Sequence, residues 1–426
     1  MRTLLAEIDQ HLGKEVTVTG WVHRLRELGA ISFVLLRDRS GQAQLVVEGK
    51  AQLTQESVVR AVGTVAANPK APGGFEVQIK NLEVVAAAEP DLPIAVNQEP
   101  DKLSLDAVLD YRMISLRNPK ILSIFRLQSG ILKLFGEHLR SEGFTEIKTS
   151  KLIGTGTEGG TGLFSVEYFD TKVFLAQSPQ FYKQAMVSSG LEKVFEIGCA
   201  YRAEKHETPR HLNEYVSLDV ETAWIDSEQD LMDLEVRILK AIFAGLEREC
   251  AAELALWGAE VPAAEEVERI PRVSHDEAKE IISGRGGRKV YEINPEGERL
   301  LCDWALEKHG VEAAFIHAWP RKKRPFYTYP RPDDKRLTMS FDLLFRGLEV
   351  TTGGRRINEY PMLLDNIELF GLTPEGLADY IQIFKYGCPP HGGFAIGLER
   401  LTQKILGLAN VKEASLFPRD RKRIRP

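Results

Sequence analysis

Residues 201–221, YRAEKHETPRHLNEYVSLDVE, restrict the fold more than any other stretch of the chain. Both ends alternate in the manner of a strand, and a polar interruption at 205–210, holding Thr208 and Pro209, separates them. The pattern predicts an antiparallel hairpin with a long mobile loop. One face of it collects Arg202, Glu204, Arg210, His211, Asp219 and Glu221. A purely structural hairpin has little use for so many charges. A site that handles a polyphosphate and a zwitterion needs both signs close together.

At 426 residues the chain has room for two or three domains. No apolar run approaches the ~18 residues that span a bilayer, and the opening MRTLLAEIDQHLGKE lacks the form of a signal peptide, so no membrane is expected. Cys199, Cys250, Cys302 and Cys388 are scattered without metal-type spacing, which predicts reduced thiols in a cytoplasmic protein. The net charge of −6 gives no global nucleic-acid footprint, so any RNA contact must rest on local basic patches.

Residues 1–88 read as a helical opening at 4–12 and five strands, at 16–22, 31–37, 42–48, 58–65 and 76–85. That succession predicts a small closed barrel, most commonly an OB-fold. Its open face would carry Arg24, Arg26, Phe33, Arg37 and Gln44. Two readings stand side by side: a platform for single-stranded RNA, with a base on the ring and guanidiniums along phosphates, or a core phenylalanine inside a solvated rim. Residues 89–118, with Pro90, Pro93 and Pro100, read as a linker or hinge.

From Pro119 the texture changes. Apolar residues at helical spacing over 121–139 predict a helix opened by Asn118-Pro119, then a strand at 144–149. GTGTEGGTG at 154–162 is a loop around one carboxylate, Glu158. QSPQFYKQ at 177–184 runs from a strand end into a helix, and 228–249 is an amphipathic helix. Residues 251–335 read as an insertion, with helices near 275–282 and at 296–309 and a Gly/Arg turn at 284–288; PRKKRP at 320–325 reads as solvated surface. Strands at 338–346 and 348–352, GGRR at 353–356, a helix at 374–386 and a Gly-rich strand feeding a helix at 389–401 complete the chain. Glycines there let a ligand approach the backbone. GGFAIG lacks the strand–GxGxxG–helix setting of a dinucleotide site, and no Walker string occurs.

YRAEKHETPRHLNEY resembles motif 2 of class II aminoacyl-tRNA synthetases, and GGFAIGLERL resembles motif 3. QSPQFYKQ, TGTEGGTGLF and GLEVTTGGRR are similar to the amino-acid pocket of aspartyl-tRNA synthetases, above all the short archaeal-type members. The resemblance covers nearly the whole chain. It implies an α+β protein in three parts: an OB-fold anticodon-binding barrel (1–88), a hinge (89–118) and a class II catalytic domain (119–426). The last is an antiparallel β-sheet flanked by helices, usually an obligate homodimer, with the insertion at 251–335. In two places the sequence departs from the family. Ser150 stands where motif 1 carries a proline at the dimer interface, which puts local interface detail in question. His23 and Pro72 stand where members restricted to aspartate tRNA carry a Trp and a Lys, which resembles the non-discriminating members.

The reaction implied is attack by the α-carboxylate of L-aspartate on the α-phosphorus of ATP, then transfer to tRNA(Asp), and with non-discrimination also to tRNA(Asn). Catalysis of that kind is positioning and electrostatics. Arg202 matches the motif 2 arginine that bridges carboxylate and α-phosphate, and Arg400 the motif 3 arginine over the adenine. Glu204 and Tyr215 would hold the adenine, Arg210 and His211 the outer phosphates, and Leu212 and Gly397 complete the ATP set. Glu349 and Thr352 match the family's Mg²⁺ position. Asp342 is either a further ligand or a strand-end carboxylate paired with Arg346. The ammonium of aspartate would meet Glu158, Ser178, Gln180 and Asp219, and its side-chain carboxylate Lys183 and Arg356, with Arg202 and Thr352 nearby. Arg26, Phe33, Gln44, His23 and Pro72 would face the anticodon. Asparaginyl-tRNA synthetases share the scaffold but lack a lysine at position 183, so an amide substrate is the first alternative. The second is a non-catalytic OB-fold RNA-binding paralogue, against which Arg202, Glu349 and Arg400 stand together.

Overall fold

A computed structural model describes residues 2–154, 156, 162–204 and 207–426. They fall into two units, Met1–Asn118 and Pro119–Pro426. Glu158 lies outside the described residues.

The first unit is built on strands β1 (Glu15–Leu28), β2 (Ile31–Arg37), β3 (Gln42–Glu48), β4 (Val58–Ala67) and β5 (Phe75–Ala86). They close into a barrel in the order β1-β2-β3-β5-β4, so each expected strand is present and β1 runs six residues further than the alternation at 16–22 indicated. Alternate side chains such as Val16, Val18, Val34, Leu36 and Leu45 fill the interior. A 3-10 turn, Leu5–His11, seals one end with Leu5 and Ile8. The segment expected as a linker groups with the barrel and carries two short helices, α1 (Leu105–Asp110), capped by Ser104, and α2 (Arg112–Ser115).

The second unit opens with α3 (Pro119–Ser141), the helix foretold by spacing. Three short strands follow, β6 (Thr145–Glu146), β7 (Leu152–Ile153) and β8 (Ser165–Tyr168), then β9 (Thr171–Leu175) and α4 (Gln180–Met186). The hairpin is β10 (Lys193–Tyr201) against β11 (Glu214–Ala223), paired from Lys193↔Thr222 to Tyr201↔Glu214. It therefore begins upstream of the predicted stretch, and Arg202 and Glu204 sit in the connection instead of a strand. Residues α5 (Glu228–Glu249), α6 (Ala251–Trp257), α7 (Ala264–Glu268), β12 (Arg272–Ser274), α8 (His275–Gly286), α9 (Pro295–His309) and β13 (Ala313–His317) come next. The chain ends through β14 (Ser340–Phe345), β15 (Leu348–Arg356), α10 (Tyr360–Leu369), α11 (Ala378–Lys385), β16 (His391–Gly397) and α12 (Leu398–Leu406).

Eight strands form one sheet in the order β12-β13-β14-β15-β16-β11-β10-β6, antiparallel except at its two outermost pairs. Buried faces of α3, α5 and α12 pack together with the sheet's apolar side chains in the largest core cluster. The expected insertion contributes β12 and β13 to this sheet, so it is not a mere surface addition. GGRR belongs to β15, and α10, which opens on a Tyr-Pro pair, was not foreseen from the residue pattern. A two-residue turn, Arg346-Gly347, joins β14 to β15 with φ of 48° and 74°. Arg346 there binds Glu312 at 3.0 Å, which removes the alternative that Asp342 pairs with Arg346; Asp342 pairs with Arg324 instead. No helix among the described residues is long and apolar enough to cross a membrane.

Candidate active site

Register in the sheet builds the site. Asp219 on β11, Ala395 on β16, Thr352 on β15 and Asp342 on β14 form one row across four strands. Glu221, Gly393, Gly354 and Ser340 form the row two residues along, so both rows share a face. Gly393 is required there: a Cβ would collide with the Val220 carbonyl oxygen and the Glu221 carboxylate.

Thr352 and Ala395 of this floor open onto a cavity of about 300 Å³. Arg202, Glu204, Arg210, His211, Leu212 and Tyr215 reach it from one side, and Glu349, Thr352, Gly397 and Arg400 from the other. The two motif arginines thus share one cleft, with the Arg202 guanidinium 5.6 Å from the Tyr215 ring centroid. Arg400 donates to the Glu349 carbonyl at 2.9 Å and to the Arg210 carbonyl at 3.4 Å. His211 shares a 2.6 Å bond with Thr208, and burial, then Arg400, lowers its pKa, which favours the neutral ring. Ser217, Lys323, Pro325 and Glu399 also line the cavity and escaped sequence reasoning. Glu399 accepts from the Val216 amide at 3.1 Å, and burial pushes its carboxyl up to about 7.

Beyond the cleft the charges are sealed. Lys183 is 2% exposed, Asp219 2%, Glu221 0% and Arg356 6%. Lys183 donates to Asp219 at 2.9 Å and pairs with Glu221 at 3.3 Å. Arg356 takes Glu221 through two nitrogens, at 2.9 and 3.3 Å, and donates to the Gly393 carbonyl at 2.9 Å and to Gln180 at 3.4 Å. Ser217 donates to Asp219 at 2.6 Å. Burial raises the Glu221 carboxyl, but Arg356 and Lys183 outweigh it and hold the group below the usual carboxylate range. Glu221, which joins the two cations, was named on the charged hairpin face but given no part in the pocket; its place at i+2 from Asp219 on one strand face was the available signal. Ser178 is buried beside the Gln180 amide.

Asp342 accepts from Arg324 at 2.6 Å and from Thr352 at 2.9 Å, and Thr352 also reaches Glu349 at 3.4 Å. Burial first, with Glu349 adding to it against Arg324, pushes the Asp342 carboxyl up to about 6. Arg324 and Lys323 come from the run read as solvated surface. The Arg324 side chain is 9% exposed and lies over Trp319, an apolar ring that makes its burial tolerable. On the other face of β15, Thr351 donates to Glu235 at 2.6 Å, and burial pushes Glu235 up to about 8.

On the barrel, Phe33 alternates with buried Ser32 and Val34, so it faces outward, half-buried, opposite exposed Arg26. That decides against a core role. Arg37 is not on the open face: it is 7% exposed, bound through two nitrogens to buried Glu56 and at 2.9 Å to His23 Nδ1. His23, at a bulge in β1, is buried as well, and burial, then Arg37, lowers its pKa. Arg24 and Pro72 are exposed, and Gln44 donates to Glu76 at 2.9 Å. Ser150 is exposed and caps its own turn at Leu152.

An antiparallel sheet of this order with helices behind it, in a chain that begins with an OB-type barrel, marks a class II synthetase. Residues 104–421 match the family described as class II tRNA synthetases for D, K and N, and residues 16–85 match the OB-fold nucleic acid binding domain. The chain is 46% identical to the aspartate–tRNA(Asp/Asn) ligase of Thermus thermophilus over the whole of both proteins. To the aspartate–tRNA(Asp) ligase of Pyrococcus abyssi it is 42% identical, covering 99% of this chain and 98% of the other. The asparaginyl-tRNA synthetase of Pyrococcus horikoshii, solved with asparaginyl-adenylate, superposes with a TM-score of 0.92 at 30% identity over both full chains. The chain belongs to the class II synthetases of the D, K and N group and is an aminoacyl-tRNA ligase, in a class for which ATP is a substrate.

Proposed function

We propose that the chain activates L-aspartate with ATP and transfers it to tRNA(Asp) and also to tRNA(Asn), as a homodimer in the cytoplasm. The observation that carries the choice of amino acid is the sealed quartet of Lys183, Asp219, Glu221 and Arg356. It holds two cations and two anions and is neutral as it stands. The ammonium and side-chain carboxylate of aspartate add one charge of each sign and preserve that balance. Asparagine adds the ammonium alone and leaves excess positive charge in a buried site. Sites built for a polar partner reject analogues lacking it by as much as ~10⁴–10⁵. Because the chain is like an asparaginyl enzyme in fold, this reading leaves the choice between the two amino acids to the pocket and assigns it to Lys183.

In the cleft, Arg202 would bind the aspartate α-carboxylate and the α-phosphate together, in the planar geometry a guanidinium offers. Arg400 and Tyr215 would enclose the adenine, and Arg210 and His211 would hold the outer phosphates. Asp219, Ser178 and Gln180 suit the ammonium, with Glu158 assigned by sequence alone. The α-carboxylate forms a bond to the α-phosphorus, pyrophosphate leaves, and the tRNA ribose hydroxyl later displaces AMP. Fixed guanidiniums aimed at the developing charge stabilise both transition states. Mg²⁺ fits the donor set, since hard oxygen ligands converge at Thr352 and two carboxylates, Asp342 and Glu349, stand within its reach. Bound there, the ion would neutralise charge on phosphate oxygens.

On the barrel, Phe33 with Arg26 suits a stacked base, whereas buried His23 would act on anticodon choice through Arg37. The test is aminoacylation of purified tRNA(Asp) and tRNA(Asn). Both should be charged. A tRNA(Asn) rate under ~1% of the tRNA(Asp) rate would refute relaxed reading, because one wrong base typically costs ~1–3 kcal/mol in a discriminating interface.

A further inference from the structure

Glu298, in the first turn of α9, plays no part in the mechanism above, yet it binds two residues that line the nucleotide cleft, Arg210 and Glu349. Its side chain is 12% exposed. Its Oε2 accepts an ion pair from the Arg210 guanidinium and a 3.2 Å bond from the Glu349 amide. Arg400 meets the same two residues from the other side, through the Arg210 and Glu349 carbonyls and the Glu349 carboxylate at 3.5 Å. Glu298, Arg210, Glu349 and Arg400 therefore close a ring of two cations and two anions.

A half-buried guanidinium is costly without a counter-charge. Arg210 has one here, on a residue 88 positions away in sequence. A triphosphate entering the cleft brings more negative charge than one carboxylate and would compete for the same cation. We propose that Glu298 is a positioning residue that stands in for the outer phosphates, holding Arg210 at the rim until ATP takes it over. The inference rests on the reading of Arg210 as a phosphate-binding residue. Released from Arg210, Glu298 keeps its bond to the Glu349 amide, so the exchange does not disturb the strand that carries the metal position. Displacing Glu298 opposes ATP binding, while AMP, which lacks the outer phosphates, leaves the pair intact.

The test is aspartate-dependent ATP–pyrophosphate exchange with Glu298→Gln, which keeps the size and an acceptor for the Glu349 amide but removes the charge. The KM for ATP should fall at least threefold with kcat within about twofold, and the inhibition constant of AMP should not move. Arg210→Ala should raise the KM for ATP, and adding Glu298→Gln to it should then change nothing further. An unchanged or raised KM for ATP in Glu298→Gln, or an equal shift for AMP, overturns the proposal. If Arg210→Ala itself leaves the KM for ATP unchanged, the phosphate assignment of Arg210 fails and the inference falls with it.

Discussion

The buried charge cluster proposed to take the amino acid and the cleft proposed to take the nucleotide lie on one sheet face but treat charge in opposite ways. In the pocket, Lys183, Asp219, Glu221 and Arg356 are more than nine-tenths buried and mutually satisfied. In the cleft, Arg400 and Glu349 are 27% and 40% exposed at the side chain, their ion pair spans 3.5 Å, and about 300 Å³ is open. A buried network has a fixed charge balance and can discriminate between substrates that differ by one charge. An open cleft tolerates rearrangement, which a substrate that arrives as ATP and leaves as AMP and pyrophosphate requires.

The contrast can be broken by substitution. The largest effect should come from the cleft: Arg202→Ala removes the guanidinium proposed to meet the reacting phosphate, and loss of one such donor typically lowers kcat ~10²–10³-fold. Single-turnover adenylate formation measures it, and a loss under about tenfold would remove Arg202 from the chemistry. Next, Lys183→Ala strips a charge-assisted contact worth ~1.5–3 kcal/mol, so aspartate-driven exchange should drop about 10- to 150-fold. It also leaves Asp219 and Glu221 short of a cation, and breaking such buried pairs costs ~3–5 kcal/mol of stability, so thermal unfolding should shift down as well. Arg202→Ala, in the open cleft, should leave unfolding nearly unchanged. Equal thermal shifts in the two variants would erase the distinction drawn here.

How much of this was legible in the sequence follows from the range of the interaction concerned. Lys183, Arg356 and Arg400 fall in the elements that motif order implied, because each is set by the local register of a strand or helix. The barrel strands were legible from alternation, and the Gly-rich strand feeding a helix at 389–401 from its composition. What escaped depended on partners far away in the chain. Arg324 and Lys323 read as surface because nothing local announces that Trp319 and Asp342 will cover Arg324. Arg37 read as a rim residue because its counter-charge, Glu56, comes from a loop 19 positions on. Arg202 and Glu204 alternate like strand residues, but pairing ends at Tyr201↔Glu214, so they were placed one element too early.

Two smaller effects sharpen the comparison. Phe33→Ala on the barrel should raise the KM for tRNA by the ~1–3 kcal/mol that one stacked base is worth while leaving amino-acid activation unchanged. A parallel loss of pyrophosphate exchange would contradict the placement of Phe33 outside both sites. The pH response should also divide the two regions. Glu221 is held below the usual range by Arg356 and Lys183 against its burial, so it stays ionised, and the KM for aspartate should be flat from about pH 5.5 to 8. Asp342 is pushed up to about 6 by burial and Glu349. A raised carboxyl keeps its proton longer in the fold than in water, so the ionised form that a cation needs gives way as pH falls through about 6. The KM for Mg²⁺-ATP should then climb by up to ~10-fold per unit. Asp342→Asn should flatten that climb, and a profile identical to the native one would exclude Asp342 as its source.

The measurement that bears most directly on the sealed-pocket account is ATP–pyrophosphate exchange driven by aspartate and, separately, by asparagine. A pocket balanced by Lys183, Asp219, Glu221 and Arg356 predicts exchange with aspartate and at least ~10⁴-fold lower kcat/KM with asparagine. Exchange driven by asparagine alone, or equally by both, would contradict it.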